Sequence, residues 1–123
     1  MRKKSIIIEK SFAFAVRVVK LYKFLTEERR EFVISKQLLR SGTSIGANVR
    51  EAHNGESKAD FIHKMGIAQK ETDETLYWLE LLFESQILSD VEFQSIHTEA
   101  DELLKIIKSI ILTSKQNIKS HIS

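Results

Sequence analysis

Arg40-Ser41-Gly42-Thr43-Ser44-Ile45-Gly46-Ala47-Asn48-Val49-Arg50-Glu51 is the passage that sets the architecture of this chain. Wound as a helix and extended to Leu38 and Ala52, it places Leu38, Gly42, Ile45, Val49 and Ala52 on one stripe, spaced by fours and threes. Gln37, Ser41, Ser44 and Asn48 run beside that stripe, all small or polar. Gly42 and Gly46 lie one turn apart, and each lowers helix stability by about 1 kcal/mol relative to alanine. Two such positions on one helix predict a neighbouring backbone that comes close. The passage reads as a helix packed tightly among others, with internal polar groups that need partners.

The composition agrees. A chain of 123 residues suits one domain with a single core. Hydrophobic residues make up 42% and charged residues 29%, the proportions of a soluble folded chain rather than a disordered one. There is no proline and there are four glycines, too little turn chemistry for a β-rich domain, so the fold class is all-α. The absence of cysteine excludes disulfides, thiolate metal sites and a cysteine nucleophile, and fits a reducing cytoplasmic setting. Residues 1–8 begin like a secretory leader, but Glu9 and Lys10 interrupt the apolar run too early. The longest apolar stretches, such as Ile110-Ile111-Leu112, are far too short to span a bilayer. A cytoplasmic protein with no membrane partner is expected.

Apolar periodicity predicts helices over about 8–26, 35–53, 57–84 and 89–113, with a fraying basic tail over 114–123. In helix 1, Phe12, Ala15, Val16, Val19 and Tyr22 form the leading stripe, widened by Phe14, Val18, Leu21 and Leu25. An arc this broad touches more than one neighbour. Ser35 is the expected N-cap of helix 2, and Asn54-Gly55 its end, with Gly55 free to turn left-handed. Ser57 with Asp60, and Ser89 with Glu92, form capping boxes for helices 3 and 4. Helix 3 carries a core stripe of Phe61, Met65, Ala68, Thr72, Leu76, Leu79 and Phe83. Its second stripe, Ile67, Glu71, Glu74, Trp78 and Leu81, reads as a contact surface toward helix 2 or another subunit. Helix 4 presents Phe93, Ile96, Ala100, Leu103, Leu104, Ile107, Ile110 and Ile111. Four amphipathic helices with short connections make an antiparallel up-down-up-down four-helix bundle, one domain over residues 1–123.

Catalytic chemistry finds little footing. Ser41 and Ser44 sit on a helix with no nucleophile elbow and no paired histidine. Gly42 and Gly46 lie inside a periodic helix rather than in a phosphate-binding loop. A di-metal carboxylate site wants two Glu-x-x-His pairs and two further glutamates. The chain has one Asp-x-x-His, and its His63 falls away from Glu71 and Glu74. His53, His97 and His121 read as solvated or loop histidines. No enzyme activity, catalytic residue, metal, cofactor or small-molecule substrate is expected. The glutamates read as structural instead. Arg40, Ser41, Ser44, Asn48 and Glu51 should meet Glu71, Glu74 and Trp78 in a polar network or oligomer interface that fixes register when every member is satisfied.

The net charge of +2 is unevenly placed. Residues 1–40 carry eleven Lys and Arg against four acids, residues 41–104 four against thirteen, and residues 105–123 four against none. On helix 1, Lys10, Arg17 and Lys20 share the polar strip with Lys23 at its edge, and no acid interrupts it. That strip is a candidate phosphate-facing surface; otherwise, the basic and acidic faces complement one another within or between subunits.

Two blocks carry a family resemblance. Arg40-Ser41-x-x-Ser44-Ile45-x-Ala47-Asn48-x-x-Glu51-Ala52 is followed by Asp60-Phe61 and then Ala68-x-x-Glu71-x-x-Glu74-Thr75-x-Tyr77-Trp78-Leu79. In order and spacing these resemble the bacterial 23S rRNA intervening-sequence proteins, over Phe12 to about Lys115. Glu51-Ala52 stands where that family usually has Glu-Gly, and Thr72-Asp73 where an alanine often follows the first glutamate. The resemblance implies a four-helix bundle assembled into a ring-like homo-oligomer, usually a homopentamer, with a basic surface and no catalytic activity. Some relatives are encoded within inserts of large-subunit ribosomal RNA genes, and a related group serves diversity-generating retroelements by binding nucleic acid and a reverse transcriptase.

The expected function is therefore non-enzymatic. The chain should bind structured RNA or a nucleoprotein complex through Lys10, Arg17, Lys20, Lys23 and its basic tails. Few aromatics lie on the polar faces, so base stacking is not suggested and backbone or structured RNA is the expected target. The alternative is a protein–protein interaction scaffold that binds no nucleic acid.

Overall fold

The computed structural model describes the backbone of residues 3–122 and the side chains of residues 6–118. Four α-helices follow in order: α1 (Lys3–Glu27), α2 (Ile34–His53), α3 (Lys58–Glu84) and α4 (Asp90–Ile122), with no strand among the described residues. Each helix packs against the next, and α1 also meets α4, whereas among the described residues the backbones of α1 and α3, and of α2 and α4, do not come close. Partner numbers rise along one helix as they fall along its neighbour. Ser11 meets Gly46 and Val18 meets Gly42; Ser41 meets Thr75 and Glu51 meets Lys64; Arg17 meets Glu99 and Arg29 meets Glu92.

The α2 stripe read from the sequence is the centre of the core. Leu38, Gly42, Ile45, Val49 and Ala52 are all buried, joined by Ser35 and Ser41. The glycines do what their cost implied. A Cβ on Gly42 would lie 2.8 Å from Val18 Cγ2, and one on Gly46 would lie 3.2 Å from the backbone oxygen of Ser11. α2 is thus set so close to α1 that a methyl on Gly42 would overlap the Val18 side chain and one on Gly46 would press on the Ser11 backbone. Around it close Phe14, Val18, Met65, Leu79, Leu103 and Ile107, each at most 1% exposed.

In α1 the two expected stripes exchange roles. Ile7, Ser11, Phe14, Val18 and Leu25 face the core, whereas Phe12, Val16 and Val19 from the leading stripe face outward. Spacing alone could not rank two apolar stripes; the glycines of α2, by seating Val18 and Ser11, select which one goes inside.

The helix ends also depart from expectation. α1 is helical from Lys3, ahead of Ile8, because Ile7 is a fully buried core residue. α4 continues past Thr113 to Ile122; residues 114–122 contain no glycine or proline, and Ser114 bonds back to the carbonyl of Ile110 at 2.8 Å. Ser35 is not the N-cap of α2. The Glu31 carboxylate accepts from the backbone N–H groups of Val33, Ile34 and Ser35 at 3.1, 3.0 and 2.6 Å, and the buried Ser35 hydroxyl donates to the Glu31 carbonyl. Burial opposes ionisation of Glu31, but these N–H groups together outweigh it and hold the carboxyl below its ordinary range. Gly55 does not turn left-handed; the only positive φ angles among the described residues are 58° at Arg30 and 64° at Gln86. Gln86 closes α3, with Gln86 N–H donating to Phe83 O and Ile87 N–H to Leu82 O, the paired bonds of a Schellman end. The caps expected at Ser57 and Ser89 are present, and at Ser89 the exchange with Glu92 runs both ways, at 2.8 and 3.2 Å.

Candidate nucleic-acid interface

The cation strip of α1 is divided by α4. Lys10 reaches Glu102 at 2.5 Å. Arg17 is clasped by Glu99 and donates to Ser95 Oγ at 2.5 Å. α4 runs beside this side of α1 and brings an acidic series that helix-by-helix reading left out. The hydrogen bond to Glu102 and its charge raise the pKa of Lys10, which fixes it as a cation with its charge already answered. Lys20 and Lys23 are exposed and take part in no ion pair among the described residues. Beyond them, at the end where α1 passes to α2, stand Arg30 and Lys36, also exposed. Arg30 lies over the ring of Phe32 at 5.4 Å, whereas Arg29 is turned to Glu92 at 3.1 Å. Of the basic tails, Lys115 is exposed and takes part in no ion pair among the described residues, and the side chains of residues 1–5 and 119–123 lie outside the described residues.

The polar network forms, with a smaller membership than expected. Arg40 bridges Glu71 at 3.3 Å and pairs with Glu74 through its other guanidinium nitrogen. Trp78 Nε1 donates to Glu74 Oε2 at 3.2 Å within α3, and Arg40 ties this second stripe to α2 inside one chain. Glu71 is 16% exposed in its side chain and Glu74 31%, so both carboxylates sit half withdrawn from water and depend on Arg40. Ser41 lies 3.0 Å from Thr75 Oγ1, a hydrogen-bonded pair buried between α2 and α3. Ser44 and Asn48 do not reach the glutamates; Ser44 Oγ donates to Arg40 O at 2.6 Å and Asn48 Nδ2 to Ser44 O at 2.8 Å, along their own helix. Glu51 pairs with Lys64 at 2.9 Å, away from the cluster.

Several features escaped the sequence. Thr75 is a buried partner of Ser41, and its signal was its place four residues after Glu71, on the edge of the core stripe. His53 and His97 are half-buried and lie on helices rather than in loops. His53 Nδ1 bonds Val49 O at 2.8 Å, its ring stands edge-on to Phe61, and Nε2 is buried without a partner. His97 lies 3.0 Å from Glu80 and against Phe93. His121 falls outside the described side chains. Aromatic rings also lie on the surface after all: Phe12, Phe32 and Tyr77 are each more than half exposed. Among the described residues, no three His, Asp or Glu side chains converge to hold a metal ion, and no helix is long and apolar enough to cross a membrane.

Comparison with known proteins agrees with this architecture. A model of the 23S rRNA-intervening sequence protein family matches residues 3–109. Among solved structures, the chain is similar to a protein of unknown function from the S23 ribosomal protein family of Bacteroides thetaiotaomicron VPI-5482, with a TM-score of 0.88 and 53% identity. The match covers 89% of this chain and 98% of that one. No curated protein matches the sequence.

Proposed function

This chain belongs to the 23S rRNA-intervening sequence protein family, and we propose that it is a non-enzymatic up-down-up-down helical bundle that assembles with copies of itself and holds structured RNA, or a nucleoprotein complex, on a basic surface. The observation that carries the reading is the sorting of the cations. Lys10 and Arg17 are answered by Glu102 and Glu99, whereas Lys20, Lys23, Arg30 and Lys36 stay exposed at the end where α1 passes to α2. One copy offers a modest charge. Repeated around a ring, a pentamer by family resemblance, the same few cations become a continuous polyanion site whose affinity grows with the number engaged.

The test is a titration of labelled structured RNA and duplex DNA at low and moderate salt. Binding should weaken steeply with salt and fall when Arg30 and Lys36 are replaced by glutamine. Binding by neither nucleic acid at low salt overturns the nucleic-acid reading.

A second reading is a protein–protein scaffold without nucleic acid. It is favoured by Phe12, Val16 and Val19, 57%, 41% and 38% exposed on one side of α1, a surface suited to another protein rather than to phosphate. It predicts no salt-dependent affinity for RNA or DNA.

A further inference from the structure

The outer face of α1 carries what a lone bundle does not need. Phe12, Val16 and Val19 follow one another by four and three residues and all point away from the core. Lys20 and Lys23 stand at the C-terminal end of this strip and take part in no ion pair among the described residues, and Arg50 of α2 lies 5.7 Å from the ring of Phe12 at the other end. A groove lined by Ile8, Ala15, Gly46 and Ala47 runs alongside Phe12.

The outer face of α3 has the opposite character. Gly66, Asp73, Tyr77, Glu80 and Glu84 share one side by helical register, and all are exposed. Glu80 meets His97 at 3.0 Å and is still 56% exposed in its side chain; Asp73 and Glu84 take part in no ion pair among the described residues. Gly66 differs from Gly42, because a Cβ there would meet nothing within 4 Å. Inside one chain Gly66 costs about 1 kcal/mol of helix propensity with no packing gained in return.

We propose that these two faces are the complementary halves of one interface between copies of this chain. The Phe12–Val16–Val19 strip of one copy lies along α3 of the next, where Gly66 lets the helices approach and Tyr77 supplies the apolar contact. Lys20 and Lys23 then meet Asp73, Glu80 and Glu84. Charge selects a second copy as the occupant: free cations flank the strip, and three acids surround the tyrosine that receives it. The lengths also match, since Lys23 lies eleven positions after Phe12 and Tyr77 eleven after Gly66, about 16 Å of helix. α1 and α3 stand at opposite corners of the bundle, with no close backbone approach among the described residues. The contact is therefore heterologous, each copy offering one face of each kind, and addition continues until a ring closes. This rests on the self-association in the proposed function and assigns it to residues. It also places Lys20 and Lys23 in the subunit contact, so that at the end where α1 passes to α2 the cations left for phosphate are Arg30 and Lys36.

The experiment is light scattering and sedimentation velocity on the full chain, with circular dichroism to check folding. The native protein should be larger than its 14.2 kDa monomer. Phe12→Glu with Val16→Glu should reduce it to the monomer, and Gly66→Leu should do the same from the opposite face. Mixing the two variants, each with one intact face, should give a one-to-one dimer that neither forms alone. Lys20→Glu with Lys23→Glu should weaken assembly by about tenfold or more, and adding Glu80→Lys with Glu84→Lys should restore it. If Gly66→Leu misfolds, Gly66→Ala serves, since it should weaken assembly while making the separated monomer more stable. A native protein that is monomeric overturns both self-association and this interface. A native oligomer unchanged by the α1 substitutions, or a mixture that yields no dimer, overturns the interface and leaves self-association standing.

Discussion

Val18 occupies the space that any side chain on Gly42 would need: a Cβ built there lies 2.8 and 2.9 Å from the two Val18 methyl carbons. Val18 is fully buried and β-branched, with one strongly preferred helical rotamer, so it has nowhere to move. Gly42→Ala therefore sets a helix-propensity gain of about 1 kcal/mol against an overpacking cost of about 1–3 kcal/mol. The clash should win, and chemical denaturation should show a net loss of up to about 2 kcal/mol. Adding Val18→Ala should recover part of that loss. A net gain for Gly42→Ala alone would show that α1 and α2 can separate without penalty.

Glu31 holds the first turn of α2 by accepting from three backbone N–H groups, and Glu31→Ala leaves all three to water. A loss of about 1–2 kcal/mol is expected, in the range of a strong N-cap. The pH dependence follows from the same hydrogen bonds. Burial works against the charged form, the N–H bonds more than offset it, and the folded pKa lies below the ordinary 4.5. Glu92, bonded by Ser89 N–H, is lowered too. A depressed carboxyl stabilises the fold above its unfolded pKa and loses that contribution as pH falls through the folded one. Thermal stability should therefore fall below about pH 4.5, and Glu31→Gln should flatten that limb. An identical acid limb in the variant would remove Glu31 as its source.

How far the sequence could be read depended on whether a feature lay within one helix or between two. The α2 stripe, its glycines and the Ser89–Glu92 cap obey local spacing and were legible. The α1 faces were not, because Phe12-Val16-Val19 and Phe14-Val18-Leu25 are equally apolar, and only the approach of Gly42 and Gly46 sorts them. The acid-free strip failed for the same reason: Glu99 and Glu102 come from another helix. Left-handed backbone at Arg30 and Gln86 gave no glycine to announce it. Of the polar cluster, Arg40, Glu71, Glu74 and Trp78 were found together, whereas Ser44 and Asn48 turned to their own helix because a carbonyl four residues back satisfies a short polar side chain locally.

Arg40 is the only cation paired with Glu71 and Glu74 among the described residues. Its side chain is 48% exposed, which weakens the pair, but Glu71 at 16% is too withdrawn to be left alone without penalty. Arg40→Met should cost about 1–3 kcal/mol, more than an ordinary surface pair, because two carboxylates remain side by side without a counterion. Glu71→Gln in the same chain should recover part of the loss, since the repulsion disappears and the more buried of the two charges is gone, whereas Glu74 stays without a counterion. Denaturation of both single variants and the double would measure the coupling. Additive losses would mean that the ion pair contributes nothing.

Lys10 and Arg17 provide the sharpest division of the α1 strip. If phosphate is bound by free cations, Lys10→Gln with Arg17→Gln should leave the salt dependence of RNA binding unchanged, because Glu102 and Glu99 already neutralise both. Arg30→Gln with Lys36→Gln should reduce the slope of log affinity against log salt by about 2, one for each phosphate no longer neutralised. A uniform drop in affinity with Lys10→Gln and Arg17→Gln would not by itself decide the matter, since those changes also expose two carboxylates to the nucleic acid. The slope does decide it, because it counts ions released and not charges nearby. A slope that falls with Lys10 and Arg17 would mean that RNA draws them away from α4, and the whole strip would then be the binding surface.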